Sequence, residues 1–310
     1  MARKKRSPVL DYLVYVAVRL VVCFVQMLTL PAALRLGQSL AWLLYKLDRR
    51  HRLVADDNLR LACAELADDP ARRDRLIRGV YEHFCAMLVF VAQFPRRYHL
   101  GTWRRYLDMD RARPLVAALL SGRPVLMVTG HFGNWELGGY TMGVFGFRSF
   151  AIARRIDNPY LDRVFARFRQ KWGQTILDKN DDYEKIVRAL DTGGAVATLG
   201  DQDAGRRGLF VEFFGRPAST HKAVALLALQ HDALMVVLGV PRVGPMLHRL
   251  LVADVIDPKE YDGRSDAVVE MTKRFTSALE GLVRQYPEQN FWLHRRWKHQ
   301  PLERRKQGVV

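Results

Sequence analysis

Pro124-Val125-Leu126-Met127-Val128-Thr129-Gly130-His131-Phe132-Gly133-Asn134-Trp135-Glu136 holds a short, almost wholly apolar run closed by a glycine and a histidine. A run of that length with no polar alternation reads as a strand buried on both faces, as in a parallel sheet covered by helices. Helical spacing resumes at Trp135 and continues towards Val144. His131 therefore lies just past the C-terminal end of a buried strand, where open α/β sheets hold their ligands.

Downstream the same alternation repeats. Strands are expected over 150–153, 175–177, 195–199, 234–240 and 249–255, and helices over 159–172, 182–190, 220–229 and 265–285. Alternating strands and helices define an α/β fold around a mostly parallel central sheet surrounded by helices. Upstream the texture is helical: a run over 9–34 broken by Pro31, then 34–46, 54–67 and 72–94, the last ending at Pro95. The expected organisation is a membrane anchor and basic belt over 1–50 and a catalytic domain over 51–310. Within that domain a helical lead-in extends to about 120 and the α/β core occupies 121–300.

The first run has a membrane pattern. Arg3, Lys4, Lys5 and Arg6 precede it, and no small-residue cleavage site follows. It is long enough to span a bilayer, but Arg19 near its centre is costly there. One reading is an imperfect transmembrane helix with its basic end cytoplasmic; the other is an interfacial helix from which Arg19 snorkels to headgroups.

Lys and Arg total 49 against 32 Asp and Glu, a net charge of +17. That balance suits an anionic membrane surface or an acidic carrier protein. Nucleic acid is not expected, since zinc-finger spacing, an RNA-binding aromatic signature and a basic-region zipper are all missing. The three cysteines, Cys23, Cys63 and Cys85, sit in apolar helical stretches and read as small hydrophobes rather than a disulfide or metal set.

The chemistry centres on His131 and Glu136. A neutral imidazole takes a proton from a hydroxyl while a carboxylate fixes its tautomer and stabilises the imidazolium. Gly130 and Gly133 permit tight backbone geometry, and the amides of this turn are candidates to face a developing oxyanion. A bare His-x4-Glu is more often a helix cap; its place in a glycine-flanked loop after a buried strand favours the catalytic reading. Arg154 follows another strand and is a candidate phosphate clamp. Asp201 and Asp203 follow a third and should open towards the face of His131. Phe132, Trp135 and Phe210 are candidate groove-lining residues, with core packing as the plainer role. Thr220 is a candidate helix cap. His83, His221, His231 and His248 carry no motif and read as structural.

With these blocks in view, the chain resembles the late, lauroyl/myristoyl-type acyltransferases of lipid A biosynthesis, within the wider lysophospholipid acyltransferase group. The blocks are His131 with Glu136; Arg154 with Asp157-Asn158-Pro159; Asp201-Gln202-Asp203 with Gly205 and Arg207; Pro287-Glu288-Gln289; and Phe291-Trp292-Leu293-His294-Arg295-Arg296-Trp297-Lys298. Gly200 and Arg206 stand where that family typically has prolines. The resemblance implies a hydrophobic groove for an acyl chain. It also implies direct transfer from an acyl-carrier-protein or coenzyme A thioester to a hydroxyl of a glycolipid or lysophospholipid, with a lipid A-type precursor favoured. His131 would be the base and Glu136 its orienting partner, with Arg154, Asp201, Asp203, Arg207, Arg295 and Arg296 around the substrate. No metal or other cofactor is implied, and the place is the bacterial inner membrane with the active domain facing the cytoplasm. Two other readings share the residues: a membrane-associated hydrolase with a metal on His131, Asp201 and Asp203, and a non-catalytic lipid-binding scaffold.

Overall fold

The computed structural model describes residues 7–171, 173–178 and 181–301. The basic run 3–6, Trp172 at an expected helix end, and Arg304, Arg305 and Lys306 lie outside them. Four helices open the chain: α1 (Pro8–Met27), α2 (Leu30–Leu47), α3 (Arg49–Ala62) and α4 (Pro70–Arg97). The strand β1 (Leu107–Asp108) and α5 (Arg113–Leu119) lead to the core unit β2 (Val125–Thr129), α6 (Trp135–Val144). Next come β3 (Ser149–Ala153), α7 (Pro159–Gln170), β4 (Gln174–Asp178), α8 (Tyr183–Asp191) and β5 (Ala195–Leu199). A hairpin of β6 (Leu209–Phe213) and β7 (Arg216–Thr220) precedes α9 (Ala223–Gln230) and β8 (Leu234–Gly239). The remainder is β9 (His248–Arg249), β10 (Leu251–Ile256) and α10 (Ala267–Gln285).

The main sheet has the order β10-β8-β2-β5-β3-β4. Only the edge strand β10 is antiparallel to its neighbour; the other pairings are parallel. This is the expected mixed α/β architecture, and β2 at its centre is buried over four of its five residues. Its two faces carry separate cores: Leu126 and Val128 pack with Phe275 and Leu279 of α10. Val125 and Met127 pack with Leu137 and Tyr140 of α6 and with Phe90 and Phe94 of α4. The opening helices are thus built into the sheet's core. The face of α2 that meets α4 is Ala33, Gly37, Ala41 and Tyr45, at helical spacing. A Cβ on Gly37 would stand 3.1 Å from Val89 Cγ2, so the small residue sets how close these helices come.

Three local expectations change. α4 runs through Pro95, because a proline in the last turn forfeits one helical hydrogen bond and Tyr98 N–H still reaches Phe94 O at 3.0 Å. The aromatic stretch after Gly208 is the β6–β7 hairpin, turned by Phe214 and Gly215 at φ 53° and 69°. Thr220 ends β7 instead of capping a helix; its hydroxyl donates to Ala218 O at 3.1 Å.

Candidate active site

Parallel pairing of β2 with β5 puts Thr129 opposite Leu199, and Gly200 N–H extends the ladder to Thr129 O at 2.8 Å. The residues just beyond are His131 and Asp201. His131 Nδ1 lies 2.9 Å from Asp201 Oδ1, and its backbone N–H donates to Asp201 Oδ2 at 2.8 Å. One carboxylate thus holds both the ring and the backbone of the histidine. A Cβ on Gly130 would come within 3.1 Å of Asp201 Cβ and Cγ, so a larger side chain there would push the carboxylate away. Gly200 is crowded too: its Cβ would meet Val128 at 3.2 Å and Phe275 at 3.3 Å.

The expected contact of Glu136 with the imidazole is not formed. Glu136 Oε2 accepts from Arg169 Nε at 3.1 Å, and Oε1 from the Nη2 of the same guanidinium. The reason is direction: Glu136 opens α6, whereas Arg169 on α7 faces it across the groove. Sequence reasoning missed Arg169. Its one signal is position, four residues from Phe165 and so on that residue's side of an arginine-rich helix.

Burial works against a charged imidazole, but the Asp201 charge and hydrogen bond, with Glu136 behind them, hold His131 above its ordinary value. Burial likewise opposes ionisation of Asp201, and His131 outweighs it, so that carboxyl sits below its ordinary value. With Nδ1–H given to Asp201, the Nε2 lone pair faces outward, where the Gln202 amide approaches at 3.5 Å. Trp135 and Phe291 flank the ring, with centroids 5.2 and 6.1 Å away.

The loop is braced from below. Gly133, at φ 59°, donates to Gln289 O at 2.9 Å and its carbonyl accepts from His83 Nε2 at 3.1 Å. Asn134 N–H reaches Val240 O at 2.8 Å. The amides of His131, Gly133 and Asn134 are therefore occupied, and an oxyanion site built from them does not form.

Beside this pair a cavity of about 350 Å³ runs beneath α6 along one face of the sheet. Its floor is small where side chains alternate inward: Ala151 and Ala153 on β3, Ala197 on β5, with Met127 on β2 and Leu238 on β8. Gly138 and Gly139 form its roof. Phe145 follows Trp135 by ten positions, about 15 Å of helix, and with Trp103, 5.2 Å from it between ring centroids, lines the cavity beyond the C-terminal end of α6. Among the described residues on its wall, the charged ones are Glu136 and Arg169.

The other candidates disperse. Arg154 is exposed and pairs with Asp157 at 3.0 Å; Arg207 and Arg295 are exposed. Asp203 turns from Asp201 to His299, 2.7 Å away, so the two carboxylates and His131 do not form a common ligand set. Arg296 is buried rather than exposed, its Nη1 donating to Ser219 O at 2.5 Å and its Nη2 to Thr220 Oγ1 at 2.7 Å. Trp135 lines the cavity. Phe132 is core, packed under Gly239 and against Tyr286, and Phe210 belongs to the hairpin. Asn58 on α3 ties the C-terminal segment down, donating to Trp292 O and His294 O at 2.7 Å each.

A histidine–aspartate pair at adjacent parallel strand ends, joined through Trp135 to a neighbouring apolar cavity, suits deprotonation of a hydroxyl next to a long hydrocarbon chain. The chain belongs to the bacterial lipid A biosynthesis acyltransferase family, whose model matches residues 1–299. It is 30% identical to a lipid A biosynthesis palmitoleoyltransferase of Escherichia coli (strain K12) over 202 residues; the match spans 64% of this chain and 64% of that relative's length. It is 27% identical to a lipid A biosynthesis lauroyltransferase of the same organism over 285 residues, 91% of this chain and 90% of the other. A phosphatidylinositol mannoside acyltransferase of Mycolicibacterium smegmatis is 25% identical over 169 residues, 52% of this chain and 54% of its own.

Proposed function

We infer that this protein transfers a fatty acyl group from a thioester to a hydroxyl of a membrane glycolipid, a lipid A-type precursor being the favoured acceptor. The observation that carries the reading is the His131–Asp201 pair beside an apolar cavity of about 350 Å³. His131 Nε2 takes the proton of the acceptor hydroxyl as its oxygen attacks the thioester carbonyl; the thiolate leaves, and an ester is made. Asp201 fixes the tautomer and stabilises the imidazolium. A thioester is already activated, so positioning and base catalysis suffice. The donor's acyl chain occupies the cavity. Glu136 and Arg169, ionic groups on a largely apolar wall, position the polar end of a substrate; a structural ion pair is a poor reason to keep charges there, since desolvation offsets much of the attraction.

The basic surface favours acyl carrier protein over coenzyme A as the donor. Exposed Arg154, Arg207 and Arg295 remain available to acceptor or headgroup phosphates. The long apolar α1, which is largely unburied, and the relatives' lipid substrates support work at the inner membrane, with the active domain in the cytoplasm. The test is acyl transfer by membranes containing His131→Ala, with lipid products read by mass spectrometry. Loss of transfer by a folded protein is expected; full retained activity overturns the mechanism.

A further inference from the structure

We propose that α1 does not cross the bilayer: together with α2 it forms an apolar face that lies in a single leaflet, making the protein monotopic. The inference rests on membrane association as read above.

Both ends of α1 are tied to the folded domain. At one end Asp11 is buried and its carbonyl accepts from Asn158 Nδ2 at 2.8 Å. Tyr12 and Tyr15 pack on Tyr160 of α7 with centroids 5.4 and 5.9 Å apart. At the other end Val25 is buried, and its carbonyl accepts from the buried Gln93 of α4 at 2.6 Å. Gln26 Nε2 donates to Ala92 O at 2.9 Å, and Arg96 Nη1 to Gln26 O at 2.7 Å. From Asp11 to Val25 is about 21 Å of helix at 1.5 Å per residue. That is a large part of a hydrocarbon core of about 30 Å. A helix crossing at that depth with its Val25 end held by α4 would either carry the start of α7 into hydrocarbon or break the contacts of Asp11, Tyr12 and Tyr15 with Asn158 and Tyr160. The first is costly, because Arg154, Arg155 and Arg163 stand exposed there.

The side of α1 turned away from the domain is apolar: Leu13, Leu20, Val21, Phe24 and Met27 are exposed. Arg19, midway and also exposed, suits a helix at headgroup depth and not one crossing hydrocarbon. α2 repeats the pattern. Its small-residue face is spent on α4, while Leu36, Leu40, Leu43 and Leu47 stay exposed, the last at 71%. Trp42 is 64% exposed on the same helix, a residue suited to the membrane interface. Lys46, Arg49 and Arg50 are exposed where α2 ends, a cationic rim complementary to anionic headgroups. The occupant these features fit is one leaflet of an anionic bilayer.

The test uses the full chain with one epitope ahead of Met1 and another after Val310, in inverted inner-membrane vesicles treated with protease. Digestion of both epitopes on the outer, cytoplasmic-face surface is expected. A protected leading epitope with a digested trailing one means that α1 spans, and overturns the proposal while leaving membrane association standing. Recovery of the protein in the soluble fraction overturns both. As a second measurement, Leu40→Glu with Leu43→Glu should weaken binding to phosphatidylethanolamine/phosphatidylglycerol vesicles by at least roughly tenfold, with circular dichroism unchanged. Unchanged binding by the folded double variant means that α1 alone anchors, and overturns the role of α2.

Discussion

His131 and Asp201 each stand two residues past a register-paired strand end, Thr129 and Leu199, and meet at 2.9 Å. Their contact is a property of the sheet: parallel neighbours in register deliver their following residues side by side. Asp201→Asn should therefore lower kcat by roughly 100-fold or more while the fold persists. Glu136→Gln should act more on the affinity for substrate, since its carboxylate is engaged by Arg169. Steady-state kinetics on both variants separates the two; an Asp201→Asn enzyme with full kcat would remove Asp201 from the mechanism.

The pH profile carries the same assignment. A base works only when neutral, and Asp201 outweighs burial to hold His131 above the ordinary 6.5. Activity should rise with pH through an acid limb centred above that value. In Asp201→Asn burial prevails and the limb should move down; in Glu136→Gln, where only a through-space attraction is lost, it should move less. For stability the signs are opposite. The histidine's contribution is present at acid pH and lost as pH rises through its folded pKa, and the aspartate's is lost as pH falls through its own.

Gly133→Ala should destabilise the protein by about 2–4 kcal/mol, more than the left-handed backbone alone costs. The added methyl would lie 2.5 Å from Val240 O, and backbone is not free to yield. Thermal unfolding in detergent measures this, and wild-type stability would mean that the loop is less firmly braced than its hydrogen bonds imply.

The cavity sets a length. Its walls are mostly apolar, and the small Ala151, Ala153 and Ala197 leave room along the sheet for a hydrocarbon chain. Ala197→Leu narrows it midway, so the preferred donor should become shorter by several carbons. A series of thioesters of graded length reads this directly, and an unchanged preference would place the acyl chain elsewhere.

Much of this was legible from Val125 to Glu136. An apolar run too short for a helix, closed by glycine, announces a buried strand, and a histidine after it announces a site. The partner was not legible, because seventy residues separate Asp201 from His131 and only the adjacency of β2 and β5 joins them. Spacing along the chain pointed instead to Glu136, close in sequence but engaged across the groove. Arg169 was hidden for a related reason: one arginine among several on an amphipathic helix is singled out only by what that helix packs against. Arg296 shows the converse error, since a cation in a basic, aromatic tail looks like a surface group until its guanidinium is found inside, on Ser219 and Thr220.

The wall that Trp103 and Phe145 build at the end of the cavity has a kinetic meaning. A tunnel open at both ends would let a finished tail slide onward. With the acyl chain held there as proposed and that end closed by the two rings, the chain enters methyl end first and backs out the same way, now tethered to a bulky new headgroup. Each added carbon deepens the hold on the arriving donor and equally on the departing product. For the longest chains that fit, withdrawal from the pocket, and not ester formation, is then expected to be the slow event of the cycle.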